Sequence, residues 1–129
     1  MAVVNFSDRP KKILVADDEP GLRMVVESEI ARAGYSVVCL SNGVEAISRL
    51  SKERYDLAIL DINLPGKSGL EVLKFIRDKN LSTRVLMITG FDSLSNAIKA
   101  VRMGADDYIP KPFDGGYLLA SVRSVMRGR

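Results

Sequence analysis

Five short, mostly apolar runs alternate with longer stretches of helical period, and this alternation constrains the fold more than anything else in the chain. The runs are Ile13-Leu14-Val15-Ala16, Tyr35-Ser36-Val37-Val38-Cys39, Leu57-Ala58-Ile59-Leu60, Val85-Leu86-Met87-Ile88 and Asp107-Tyr108-Ile109. Each is rich in β-branched residues, too short for a stable helix, and bounded by Gly, Pro, Asp or Asn, so each reads as a strand. The first, third and fourth are apolar throughout, as parallel strands covered on both faces should be.

The intervening stretches carry apolar residues at helical spacing. Leu22, Val25, Val26, Glu29, Ile30 and Ala33 form the first set, with Pro20 suited to the opening turn and Gly34 as the stop. Val44, Ile47 and Leu50 form the second, and Leu70, Leu73, Ile76 and Arg77 the third. Leu94, Ala97, Ile98 and Val101 follow, stopped by Gly104; Leu118, Leu119, Val122, Val125 and Met126 make the last. Gly115 and Gly116 each weaken a helix by roughly 1 kcal/mol relative to Ala, so the last helix is predicted to begin near Gly116 or Tyr117.

The order βαβαβαβαβα predicts an α/β fold, a doubly wound (βα)5 unit with a parallel five-stranded sheet, right-handed crossovers and helices on both faces. A length of 129 residues, with no repeat or linker, suits one domain. The expected organisation is a flexible leader over 1–11, the domain over 12–127, and a tail or start of a linker at 128–129.

Composition removes several chemistries. A single Cys cannot form an intramolecular disulfide, and the lack of His excludes the usual zinc clusters and any Ser-His or Cys-His catalytic pair. No apolar run approaches the roughly 20 residues of a membrane span, and MAVVNFSDRPKK lacks the layout of a signal peptide. The expected location is cytoplasmic, with no membrane partner. The net charge of +3 is small enough to mean solubility, so no direct nucleic-acid contact is expected.

In an open α/β sheet, chemistry belongs at the carboxyl ends of the strands, near the point where strand order reverses. Asp17-Asp18-Glu19 follows the first strand and Asp61 the third; Thr89 follows the fourth, and Lys111 and Pro112 the fifth. Taken singly, each has an ordinary explanation. Asp17 to Glu19 can cap a helix, Asp61 and Thr89-Gly90 can sit in turns, and Lys111 can be one more solvated lysine. Together, several strand ends deliver polar groups of complementary charge. Two carboxylates about 4 Å apart repel by roughly 4 kcal/mol at an effective dielectric of 20, so the group calls for cations. Lys111 supplies one, and the hard oxygen donors suit Mg²⁺, with Mn²⁺ as an acceptable substitute. Metal, lysine and hydroxyl would make a cradle for a phosphoryl group.

The motifs ILVADDEPG, DLAILDINLPGKSGLEVL, VLMITG and GADDYIPKPF, in this order and spacing, resemble the receiver domains of bacterial two-component response regulators from about Lys12 to Arg127. The resemblance implies a flavodoxin-like sheet with strand order 2-1-3-4-5. It implies that Asp61 is the phosphoacceptor, taking a phosphoryl group from a histidine kinase or phosphotransfer protein and promoting its own phosphotransfer and autodephosphorylation, without being an enzyme. Asp18 would bind Mg²⁺ directly and Asp17 largely through water, joined by Asp61 and the backbone carbonyl of Asn63. Thr89 and Lys111 would hold phosphoryl oxygens, Lys111-Pro112 would be cis, and Thr89 with Tyr108 would form the switch pair.

Phosphorylation would then shift a surface made by the fourth helix, fifth strand and fifth helix, controlling an output domain or downstream protein and in some cases a homodimer. Asn96, Lys99, Arg102, Met103 and Tyr117 are candidates for that surface. Asn63 and Phe91 occupy positions that vary in the family and tune phosphoryl lifetime, and Gly90 leaves the pocket open. Ser121 stands where the branch with winged-helix outputs commonly has an Arg, so that branch's dimer network is not expected. Three rivals share parts of the inventory: a haloacid-dehalogenase-like phosphohydrolase, a flavodoxin-type cofactor binder and a degenerate receiver acting as a scaffold. The first needs an acid where Asn63 stands, the second a Ser/Thr-rich loop after the first strand, and the third the loss of a motif residue.

Overall fold

The structure is a computed structural model, and it describes residues 11–90 and 94–127. All of the expected leader except Lys11, together with Phe91 and the tail at 128–129, lies outside the described residues. Strands and helices alternate along the chain. The order is β1 (Lys12–Ala16), α1 (Pro20–Arg32), β2 (Ser36–Leu40), α2 (Gly43–Lys52), β3 (Leu57–Asp61), α3 (Gly69–Asp78), β4 (Arg84–Thr89), α4 (Leu94–Arg102), β5 (Asp107–Pro110) and α5 (Gly115–Arg127).

The sheet runs β2-β1-β3-β4-β5 with every neighbouring pair parallel. Strand order therefore reverses between β1 and β3, which opens a crevice above that pair. The register brings the functional ends level. Ala16 pairs with Leu40 and Leu60, Asp61 with Ile88, and Thr89 with Pro110. The residues that follow β1, β3, β4 and β5 thus emerge along one edge.

Alternate strand residues face opposite sides, and each side has its own core. Leu14, Ala58, Leu60, Val85 and Met87 pack with residues of α2, α3 and α4. Ile13, Val15, Leu57, Ile59, Leu86 and Ile88 pack with residues of α1 and α5. All five residues of β3 are buried, while the edge strands β2 and β5 have mixed exposure.

Helix starts follow local chemistry. Asn42 accepts a hydrogen bond from the Glu45 N–H at 2.8 Å, and Ser68 accepts one from the Glu71 N–H at 3.2 Å. Pro20 occupies the first turn of α1, as predicted. Helix α5 begins at Gly115, earlier than the glycine pair suggests. Asp114 explains the difference: its side chain accepts from the Tyr117 N–H at 2.8 Å and its carbonyl from the Leu118 N–H at 3.1 Å.

The inward face of α4 also departs from the periodicity. Ala97 and Ala100 are buried, while Leu94, Ile98 and Val101 are 65%, 45% and 48% exposed. Small side chains let α4 lie close against β4 and β5, and the larger aliphatic residues are left on the outer surface. Val25 and Val44 likewise face outward, with Val26, Ile30, Ala46 and Leu50 taking the buried positions of their helices.

Arg77 is an anchor at the opposite edge of the sheet. Its guanidinium donates to the carbonyls of Gly104 (3.0 and 2.8 Å) and Thr83 (2.9 Å) and pairs with Asp106 at 3.2 Å. One side chain thereby joins α3, the start of β4 and the α4–β5 turn.

The packing predicts opposite outcomes for two aliphatic truncations followed by urea unfolding. Leu86→Ala should cost about 2–5 kcal/mol. Ile98→Ala should change stability by no more than about 0.5 kcal/mol, because the outer face of α4 loses little burial.

Candidate functional site

The site forms where three loops meet above the strand ends. Asp17 directly follows β1, and its N–H donates to the Leu40 carbonyl at 3.0 Å. It is fully buried. Its Oδ1 accepts from the Glu19 N–H at 2.9 Å, closing a short side-chain turn that reverses the chain into α1. Glu19 occupies the N-cap position of α1, yet its side chain makes no capping bond. It turns instead toward Lys111.

Asp61 ends β3 and is 3% exposed. One carboxylate oxygen accepts from the Asn63 N–H at 2.9 Å, and the other accepts from Lys111 Nζ at 2.6 Å. Gly69 opens α3 directly beneath it: a Cβ there would lie 2.2 Å from the Asp61 carbonyl oxygen. Only glycine lets the helix start that close to the end of β3.

Lys111 lies just beyond β5, after which the Lys111-Pro112 bond is cis, and its N–H donates to the Thr89 carbonyl at 2.8 Å. Its ammonium donates to Glu19 Oε1 at 2.6 Å as well as to Asp61, and Asp17 Oδ2 lies 3.7 Å away. Thr89 is buried at the end of β4, with its hydroxyl 3.5 Å from the Ile109 carbonyl. Tyr108 is half-buried on β5 and packs against the core on the α2–α3–α4 side.

The structure therefore brings together Asp17, Asp61 and Lys111, with Thr89 on the adjoining strand end. Asp18 and Asn63 are exposed. Glu19 received no role in the site from the sequence, where it reads as part of an acidic helix start. The missed signal lies in the turn made by Asp17, which sends residues 17 and 19 to the same side of the loop. Among the described residues, Asp17, Glu19 and Asp61 offer carboxylate oxygens all within 4.8 Å of one another.

The electrostatics follow from this crowding. Burial pushes the Asp17 carboxyl up to about 6; the hydrogen bond from the Glu19 N–H opposes that, the charge of Asp61 adds to it and Lys111 counters it. Burial disfavours the Lys111 ammonium, but hydrogen bonds to Asp61 and Glu19 outweigh it and hold the lysine above its ordinary range. Asp17 Oδ2 is buried without a hydrogen-bond partner. An orphaned buried carboxylate oxygen among further hard oxygen donors fits a divalent cation of the Mg²⁺ type.

Comparison with known proteins shows what the chain is similar to. The family model described as "Response regulator receiver domain" matches residues 13–123. The chain is 38% identical over 117 residues to the alkaline phosphatase synthesis transcriptional regulatory protein PhoP of Bacillus subtilis (strain 168), covering 91% of this chain and 49% of that protein. It is 40% identical over 116 residues to the transcriptional activator protein IrlR of Burkholderia pseudomallei (strain 1026b), covering 90% of this chain and 50% of that one. The chemotaxis response regulator CheY4 of Vibrio cholerae superposes with a TM-score of 0.85 at 31% identity, over 91% of this chain and 99% of that one.

The fold is of the α/β, flavodoxin-like class, with an acidic pocket at its switch point. The chain belongs to the response regulator receiver domain family of two-component systems. It is a phosphorylation-dependent signalling switch, and its acidic pocket is of the kind that takes Mg²⁺ in this family. Receiver domains partner with histidine kinases and output domains. The chain spans about half the length of the two curated relatives described above. Membership disposes of the phosphohydrolase and flavodoxin alternatives.

The raised carboxyl of Asp17 makes stability depend on pH. An ordinary carboxyl near 3.8 in the unfolded chain and about 6 in the folded one means that the folded state binds more protons between those values. With metal absent, the contribution of Asp17 to stability should therefore fall as pH rises from about 4 to 6, by about 3 kcal/mol in all. Thermal melts across that range in EDTA should show the decline, Mg²⁺ should flatten it, and Asp17→Asn should remove it.

Proposed function

We propose that Asp61 is the phosphoacceptor of a domain spanning residues 12–127. The observation that carries this is the contact between its carboxylate and Lys111 Nζ at 2.6 Å, at the switch point of the sheet. A carboxylate oxygen of Asp61 forms a bond to phosphorus while the P–N bond of a partner's phosphohistidine breaks. The imidazole leaves with the bonding pair and is protonated by solvent. Lys111 and the Thr89 hydroxyl donate to the phosphoryl oxygens, so that the charge developing on them meets fixed donors.

Asp18, Asp61 and the Asn63 carbonyl would hold Mg²⁺ directly, with Asp17 acting through water. When bound, the metal supplies two positive charges that offset the carboxylates and the incoming phosphoryl group. The orphaned Asp17 oxygen supports a cation beside it. Gly90 adds no side chain to the pocket beside Thr89, which favours entry of the water that splits the P–O bond in autodephosphorylation.

A phosphoryl group brings roughly −2 charge and three acceptor oxygens. Movement of Thr89 toward it, with inward rotation of the half-buried Tyr108, would shift the α4–β5–α5 surface. That surface would engage an output domain or downstream protein, or a second copy after phosphorylation. Its outward Leu94, Ile98 and Val101 supply apolar contact area beside the candidate Tyr117. No described helix is long and apolar enough to cross a membrane. We place the domain in the cytoplasm, where its kinase partners would present their phosphohistidine.

Acetyl phosphate with Mg²⁺ should label the protein with an acid-stable, base-labile phosphate, and Asp61→Asn should lose it. Undiminished labelling of that variant at the same position would overturn the assignment. In a separate titration followed by NMR, Asp18→Ala should bind Mg²⁺ more weakly than the parent; equal affinity would remove Asp18 from the ligand set.

A further inference from the structure

The proposed phosphoacceptor mechanism needs Lys111 to donate to a phosphoryl oxygen, yet the structure shows that lysine already committed. An ammonium has three N–H donors. One goes to Asp61 and one to Glu19, each at 2.6 Å, and the third has Asp17 Oδ2 nearby at 3.7 Å. The partners differ in one respect. The side chains of Asp17 and Asp61 are 0% and 4% exposed, whereas that of Glu19 is 60% exposed. Water can solvate Glu19 as it lets go, so its bond is the one that yields most readily. Glu19 also places a negative charge beside the space that a dianionic phosphoryl group must enter.

We propose that Glu19 is a positioning residue that locks Lys111 in the unphosphorylated state and slows phosphoryl acceptance at Asp61. It holds the ammonium across the mouth of the site, and an incoming phosphoryl group must displace it. The lock rests on the phosphoacceptor reading for its role, but the ion pair itself is a property of the resting protein. Removing Glu19 frees a donor and removes a like charge from the mouth. Because an exposed ion pair of this kind is worth up to about 1 kcal/mol, the gain in rate should be about three- to fivefold.

The test compares the parent with Glu19→Gln and Glu19→Ala, using acetyl phosphate at Mg²⁺ concentrations where each rate has levelled off. Both variants should be labelled at Asp61 about three- to fivefold faster. The ratio to the parent should shrink at high salt, because screening weakens a charge-based lock and leaves a purely structural effect untouched. A second measurement uses neither phosphodonor nor metal: the ammonium protons of Lys111, followed by NMR, should exchange with water faster in Glu19→Ala. Labelling at Asp61 with an unchanged or slower rate would overturn the lock, as would unchanged ammonium exchange. Absence of label at Asp61 from parent and variants alike would overturn the phosphoacceptor reading first, and the lock's role in acceptance with it.

Discussion

The ammonium of Lys111 faces three carboxylates across the carboxyl edge of the sheet, two of them at 2.6 Å and one at 3.7 Å. This contact joins the loop after β1, the end of β3 and the loop after β5, segments separated by as many as 92 residues in sequence. One positive charge cannot balance three negative ones in a partly desolvated place. The consequences are visible together: a carboxyl on Asp17 pushed up to about 6, a buried oxygen with no partner, and a lysine held firmly charged. The resting site is short of positive charge, and a divalent cation is the simplest supply. A phosphoryl group would add further negative charge to the same edge.

The rest of the fold keeps that crowded edge in place. β1, β3 and β4 contribute strands buried almost throughout, which leaves them little freedom to slide. Their parallel register brings the functional ends level. Close backbone approaches then remove slack in the loops. Gly69 brings the start of α3 onto the carbonyl of Asp61, and a Cβ at Gly43 would lie 1.8 Å from the Lys67 carbonyl, so α2 is pressed equally close to the loop after β3. Arg77 performs a comparable service at the far edge, where its hydrogen bonds fasten α3 to the α4–β5 turn.

Most of the architecture was legible in the chain, because apolar runs of strand length and apolar positions of helical period report directly on burial. Asp17, Asp61, Thr89 and Lys111 were legible for a related reason: each follows a recognisable strand, and parallel strands of similar length end together. The inward face of α4 was not, because periodicity counts Leu94, Ile98 and Val101 as core while the sheet accepts Ala97 and Ala100. Which apolar stripe faces inward depends on how closely a helix approaches its neighbours. The start of α5 lies one residue before the expected Gly116, since Asp114 supplies hydrogen bonds that glycine propensity does not register.

By itself, the sequence determined the order of elements, the α/β class and the set of strand-end residues from which a site could be made. These are consequences of composition and short-range pattern. Only the tertiary structure decided which acids share Lys111. It turned the Glu19 carboxylate toward Lys111 through the side-chain turn of Asp17. Side-chain direction in a loop is set by its hydrogen bonds and by what packs across from it, and a lysine 92 residues away is part of that environment. No local pattern in ADDEPG carries that information.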